Sequence, residues 1–287
     1  GSILYSSAQL TYLIERIRNV MKRSVQAIQY QLRKGSFTPS YYEVPFSLLR
    51  ESPSVSIKLS EENSMLLKGR IDRIDVAEEG EIYVKVVDYK SGNKNFDPSS
   101  FYYGLQLQLL TYLNAAVDMM KEKNPGKQVI PAAALYYHIA NPILPRETVK
   151  VSEEAWQEAL NAECKTKGIV NGQSEVVTRL DSQMDRKSDV IPVEYDKNGE
   201  LTKRCSAYDA QALKELLAYT TSKVTSLGQE ILDGQIQVNP YEDKNGMACT
   251  YCPYHAICKL DGKIPGYGKR ILPNLTKEQV IEKIPRR

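Results

Sequence analysis

Two aspartates and a lysine are spaced so that they can do metal-assisted chemistry. Asp88 and Lys90 close the run Ile82-Tyr83-Val84-Lys85-Val86-Val87-Asp88-Tyr89-Lys90, and Asp72 sits in the preceding Gly69-Arg70-Ile71-Asp72-Arg73-Ile74-Asp75. Side chains alternate along a strand, so Ile82, Val84, Val86, Asp88 and Lys90 share one face. An acid and an ammonium group thus end an otherwise apolar face, and each needs a partner because burying either alone is costly. If the turn centres on Gly80, Val76 faces Val84 and Ile74 faces Val86, which is the register a buried face selects. The same register sets Asp72 opposite Asp88 and Arg70 opposite Lys90. Directly opposed residues have Cβ atoms about 4.5–5.5 Å apart. Carboxylates that close favour a shared proton or a cation. Mg2+ or Mn2+ would suit them, since a hard ion prefers oxygen, and the backbone carbonyl of Tyr89 offers one more ligand. Lys90 would then orient a nucleophilic water or neutralise charge developing on a phosphate. A surface hairpin with incidental salt bridges among Asp72, Arg73, Asp75 and Lys90 would explain the spacing as well. Asp75 points away from Asp72 in a regular strand and stays outside the site.

The elements that must position these groups read as a mixed sheet flanked by helices, an α/β fold. A long amphipathic helix is expected from Ser6 to about Arg33, with Leu10, Leu13, Ile14, Ile17 and Met21 at helical spacing and Ser6 or Ser7 as cap. Tyr41 to Phe46 follows as a strand, at an edge because of Pro45. Met65–Val76 and Glu81–Lys90 form the hairpin across Ala77-Glu78-Glu79-Gly80. After a loop from Asn93 to Ser100, a helix is predicted from about Gly104 to Met120 and a strand from Ala132 to His138. Gln108 and Tyr112 lie one turn apart on that helix. Beyond Pro142 come a short helix with Trp156, a charged mobile loop from Asp181 to Asp189, and a second hairpin, Val190–Tyr195 with Glu200–Cys205. A long helix, about Asp209 to Leu232, precedes the cysteine cluster. The chain divides into a core, residues 1–140, and a C-terminal extension, 141–287, packed with it as one domain.

Composition narrows the class. The 287 residues are 42% hydrophobic and 25% charged, enough apolar content for a substantial core and too much for wholesale disorder. A net charge of +3 permits a local basic surface without arguing for one. The 19 tyrosines against 4 phenylalanines suit strand packing and, in part, base stacking. No apolar run is long enough to span a bilayer and no charged-then-apolar leader is present, so no membrane role is expected. Gly1-Ser2 reads as a tag-cleavage scar, and the natural chain is expected to begin upstream. No Gly-Lys-Ser/Thr phosphate loop occurs, so nucleotide hydrolysis is not expected here.

Three segments together resemble the motif series of RecB-family nucleases in the PD-(D/E)XK superfamily: Gly69 to Asp75, Val86-Val87-Asp88-Tyr89-Lys90-Ser91-Gly92, and Gln108-Leu109-Leu110-Thr111-Tyr112. The resemblance implies a restriction-endonuclease-like core. It makes Asp72 and Asp88 metal ligands and Lys90 the catalytic lysine, with Gln108 and Tyr112 lining the site to position DNA or the lysine. The family's N-terminal histidine motif is missing, since His138 and His255 are the only histidines. The resemblance continues through Ala248 to Cys258 and on to Gly266-Tyr267-Gly268-Lys269-Arg270, a tail similar to that of AddAB-type bacterial helicase–nucleases. It implies a Mg2+- or Mn2+-dependent exonuclease acting on single-stranded DNA ends. The enzyme would serve double-strand-break repair by homologous recombination in the bacterial cytoplasm, beside an AddA-type helicase–nuclease subunit. The rival readings are an inactive nuclease-like DNA-binding module and a free-standing CRISPR-type exonuclease.

Five cysteines, an odd count without a leader, read as thiols or metal ligands and not as a disulfide framework. Cys249, Cys252 and Cys258 are soft ligands for iron–sulfur or zinc. His255 or Cys205 could complete a zinc site. The family resemblance implies a [4Fe–4S] cluster whose fourth cysteine lies upstream of this chain; neither Cys164 nor Cys205 fits its place. Such a cluster would be a structural staple, because metal binding doubles as folding energy.

Overall fold

The hairpin carries the register that apolar alternation selects. In the computed structural model, which describes residues 7–139, 152–261, 264 and 268–284, β4 (Arg70–Glu79) and β5 (Glu81–Lys90) run antiparallel, with Ile74 facing Val86 and Val76 facing Val84. Pairing continues to Glu79 and Glu81, so the expected four-residue loop shrinks to Gly80, whose φ of +77° is open to glycine at no steric cost. The strand expected over Met65–Val76 is two elements: β3 (Ser64–Leu66) pairs with β2 (Ser56–Lys58) in a separate ribbon, and β4 starts at Arg70. β1 (Thr38–Pro45) pairs with β4 at the sheet edge, where its prolines deprive no inner ladder of a donor.

From β5 the chain passes through α2 (Pro98–Tyr102) and α3 (Gln108–Lys123) to β6 (Val129–His138), which lies parallel to β5. A helix between parallel neighbours is the usual crossover. The helix expected from Gly104 starts four residues later, because Asp97 opens the separate α2 by accepting from the amides of Ser99 and Ser100, and Gly104 turns at φ +85°. Past residue 140 come α4 (Glu153–Glu163), β7 (Lys167–Asn171), α5 (Ser174–Leu180), β8 (Ala207–Tyr208) and α6 (Ala210–Leu232). β7 and β8 extend the same sheet, giving the mixed order β1-β4-β5-β6-β7-β8. At Gly168 the backbone of β7 approaches β6 so closely that a Cβ would stand 2.2 Å from the Ala134 carbonyl oxygen.

Each face of the sheet buries its own core. Ile74, Val84 and Val86 pack with Leu109 and Leu113 of α3 and Leu216 of α6. On the other side Tyr83 and Leu135 pack with Val176 and Leu180 of α5, and Val87 and Tyr137 meet Ala27 of α1 (Ala8–Lys34). Ser7 caps α1 by accepting from the Leu10 amide; Ser6 lies outside the described residues.

Two expectations fail here. The second hairpin is absent: Val190–Cys205 contributes only isolated bridges, Lys187 with Glu194 and Tyr195 with Leu201, and Val193 turns back onto the Ile191 carbonyl beside Pro192. The charged stretch Asp181–Asp189 is not a loose loop. Asp181 is buried and accepts from the Ser188 hydroxyl at 2.7 Å, and Asp189 accepts from the Tyr30 hydroxyl. The C-terminal part adds β9 (Tyr241–Asp243), β10 (Gly246–Met247), α7 (His255–Cys258), β11 (Arg270–Ile271) and α8 (Lys277–Lys283). Gly266 and Tyr267 lie outside the described residues. Among the described residues, no helix is long and apolar enough to cross a membrane.

Candidate active site

The hairpin ladder stops at Arg73 and Val87, one step before the two aspartates. Beyond it the Tyr89 amide donates to Asp72 Oδ2 at 2.8 Å, so a side chain takes over from the backbone ladder at the strand end. The expected opposition of Arg70 and Lys90 is not formed. Arg70 instead turns to β1, with Nε 2.7 Å from Glu43 Oε2.

Asp88 is almost wholly buried, and Lys90 Nζ lies 2.6 Å from its Oδ2. Burial pushes the Asp88 carboxyl above its ordinary range; the Lys90 hydrogen bond and charge pull it back, and the neighbouring Asp72 charge pushes it up again. Lys90 Nζ also donates to Gln108 Oε1 at 3.3 Å, and Gln108 Nε2 donates to Tyr112 Oη at 2.9 Å. Tyr112 is fixed by an edge-on contact with Phe46, centroids 5.6 Å apart. Asp72, Asp88, Lys90, Gln108 and Tyr112 are thus brought to one place, the last three as a chain of hydrogen bonds from the first turn of α3 to the end of β5.

Two further residues belong to this neighbourhood and escape a reading by sequence. Tyr136 on β6 is the direct partner of Asp88. It is buried, and among the described residues its hydroxyl has no hydrogen-bond partner. Lys94, in the loop after β5, holds its Nζ 5.4 Å from the centroid of the Tyr136 ring, and Lys90 Nζ is 5.9 Å from the same centroid. Alternation along Ala132–His138 could have put Tyr136 on the site's face, but nothing local fixes which residue of β6 meets Asp88.

The opposite face of the hairpin holds a second charged cluster. Asp75 is fully buried and touches Arg73 Nε at 2.8 Å and Lys85 Nζ at 3.0 Å, while Arg73 donates to the Tyr89 hydroxyl at 2.8 Å. Burial pushes the Lys85 ammonium pKa down, and Asp75 opposes that shift. The surface hairpin with incidental salt bridges is therefore not what forms. Arg73 and Asp75 pair in the interior, and Lys90 pairs with Asp88.

Two carboxylates side by side are the donor set a hard divalent ion takes. No group of three or more His, Cys, Asp or Glu side chains converges among the described residues. Further ligands for such an ion would have to come from the Tyr89 carbonyl, water or substrate. Cys249, Cys252 and Cys258 are half-buried free thiols. Cys205 is buried in the core around Val190 and Val193. The cysteines present do not compose a complete four-ligand site, so no chemistry is assigned to iron or zinc here.

A mixed sheet between helices, with two carboxylates and a lysine at the end of its central hairpin, defines a nuclease-type core. Residues 2–259 match the sequence profile of the PD-(D/E)XK nuclease superfamily, and the chain belongs to it. Its relatives include proteins named as the second (B) subunit of an ATP-dependent helicase/deoxyribonuclease. The one from Lachnoclostridium phytofermentans is 36% identical over 290 residues, covering 98% of this chain and 24% of the relative. That of Clostridioides difficile is 38% identical over 287 residues, covering 98% and 25%. That of Clostridium kluyveri is 35% identical over 286 residues, covering 99% and 25%. The chain spans about a quarter of the length of these relatives.

Proposed function

We propose that this domain hydrolyses phosphodiester bonds in DNA, with Asp72 and Asp88 holding Mg2+ or Mn2+ and Lys90 as the catalytic lysine. The observation that carries the reading is the Lys90 ammonium on Asp88, 2.6 Å away, at a strand end where Asp72 is held by the Tyr89 amide. A divalent ion on the two carboxylates, with the Tyr89 carbonyl as a further ligand, would supply Lewis-acid polarisation of the phosphate and neutralise its charge. Lys90, released from Asp88, orients the attacking water and faces the charge that develops on the phosphate oxygens. Gln108 keeps the ammonium from swinging into solvent, and Tyr112 fixes the Gln108 amide.

The substrate in this reading is single-stranded DNA at an end, cut exonucleolytically. By analogy with relatives named as helicase/deoxyribonuclease subunits, the domain works beside an AddA-type partner in the bacterial cytoplasm, serving break repair by recombination. Residues 141–287 act with the core as one domain, since β7, β8 and α6 complete its sheet and apolar core. The test is cleavage of a labelled single-stranded oligonucleotide with Mg2+, Mn2+ or EDTA, by the unsubstituted chain and by Asp88→Ala and Lys90→Ala. Metal-dependent cutting lost in both variants is expected. Equal cutting by all three proteins would remove the assigned roles, and binding without cutting by the unsubstituted chain would favour an inactive DNA-binding module.

A further inference from the structure

The Lys90 ammonium is committed, lying on Asp88 and bonded to Gln108. Lys94 is not: among the described residues it has no ion pair and no hydrogen bond, only the face of the Tyr136 ring 5.4 Å away. An aromatic face attracts a cation through its quadrupole without neutralising it. Lys94 is close enough to Asp88 to favour its ionised form, yet pairs with neither aspartate. The loop that carries it is pinned one residue earlier, where Lys167 Nζ donates to Asn93 Oδ1 at 2.6 Å. Lys167 is in turn the strand partner of Tyr136 on β7. The same ring therefore backs two ammonium groups, one at the carboxylates and one displaced along the loop. Beside it lies the Tyr136 hydroxyl, a buried donor without a partner among the described residues.

We propose that Lys94, held over the Tyr136 ring, is a second phosphate-binding group for the substrate strand, adjoining the catalytic centre, with the Tyr136 hydroxyl as its neutral companion donor. Charge supports it. Asp72 and Asp88 are balanced by Lys90 and Lys94, so a divalent ion leaves a net positive centre that only an anionic ligand relieves. The inference rests on the reading of the site as a phosphodiester-cutting centre.

The test uses the 287-residue chain and a fluorescent single-stranded oligodeoxynucleotide in EDTA, with affinity followed against salt concentration. Removing one cation from a phosphate of a single strand flattens the log–log salt slope by about 0.7, and a phosphate-bound lysine strengthens binding alike for all sequences. Lys94→Ala should lower the slope by that amount, Lys94→Arg should restore it, and Tyr136→Phe should weaken binding while leaving the slope intact, because no charge is removed. In steady-state cleavage Lys94→Ala should raise KM more than it lowers kcat. An unchanged slope in Lys94→Ala, or no salt dependence in the unsubstituted chain, overturns the proposal. Asp88→Ala, run in parallel, separates the two claims: if it still cuts, the nuclease reading fails; if only the Lys94 slope is unmoved, the subsite fails and the nuclease reading stands.

Discussion

The two faces of the β4–β5 hairpin carry the same kinds of group a single residue apart and use them in opposite ways. On one face Asp75 meets Arg73 and Lys85, and Arg73 reaches Tyr89, leaving no exposed oxygen on Asp75. On the other, Asp88 has Lys90 at its Oδ2, Asp72 has one backbone amide, and the Tyr136 hydroxyl goes without a partner among the described residues. The first cluster is closed by its own chain. The second is under-supplied with partners and partly open to solvent through Lys90 and Gln108. What separates structural from catalytic carboxylates in this hairpin is thus completeness of partnering, not the presence of charge.

Substitutions on the two faces should part accordingly. The largest effect is expected on chemistry: Asp88→Ala should slow cleavage by about 10^2–10^3-fold or more, the scale of losing one transition-state-stabilising group, measured by single-turnover cutting in Mg2+. Asp75→Ala should instead cost about 3–5 kcal/mol of stability by leaving Arg73 and Lys85 uncompensated in the interior, read from urea midpoints. A large loss of cutting with unchanged stability there would erase the contrast. Next, Gln108→Leu should lower activity by about 10–100-fold, as expected when a group orienting a catalytic side chain is removed, with the fold intact by circular dichroism.

A smaller effect follows from the raised Asp88 pKa. A carboxyl whose folded pKa lies above its unfolded value stabilises the fold below the unfolded pKa and loses that contribution as pH rises through the folded one. Asp88→Asn, in EDTA, should therefore be more stable than the unsubstituted chain at neutral pH, the difference closing below the ordinary carboxyl value of 3.8. A difference of the opposite sign would mean that the Lys90 pairing outweighs burial. Smallest of all, Cys252→Ser should leave the midpoint unmoved, since this thiol belongs to neither core face and Tyr251 beside it is 94% exposed.

How much of this is readable from the chain depends on how local the determinant is. The pairing of Val76 with Val84 and of Ile74 with Val86 is legible, because apolar alternation on both sides of a glycine leaves one register that buries both faces. The helix over Ala210–Leu232 is equally plain from its period and its Asp209 cap. Lys167–Asn171 escapes notice, being short and interrupted by Gly168, and Val190–Cys205 misleads, because β-branched residues beside a turn mimic strands. Asp181–Asp189 looks solvated by composition, yet its order comes from Ser188 and Tyr30, the latter 159 residues from its partner Asp189. The site divides likewise. Asp72, Asp88 and Lys90 share one hairpin, but Tyr136 meets Asp88 only through a parallel pairing across a crossover with an irregularity between Val84 and Lys85. No local pattern encodes that meeting.

Gly168 shows how narrow the margin is elsewhere. With only 2.2 Å between a would-be Cβ and the Ala134 carbonyl oxygen, and φ at +142°, the seam between β6 and β7 admits hydrogen and nothing larger. In a saturation library this position would tolerate no other amino acid, although it lies about eighty residues downstream of the hairpin and touches none of its acids. Intolerance to substitution there would mark the place where the outer strands are sutured to the half of the sheet that carries the chemistry.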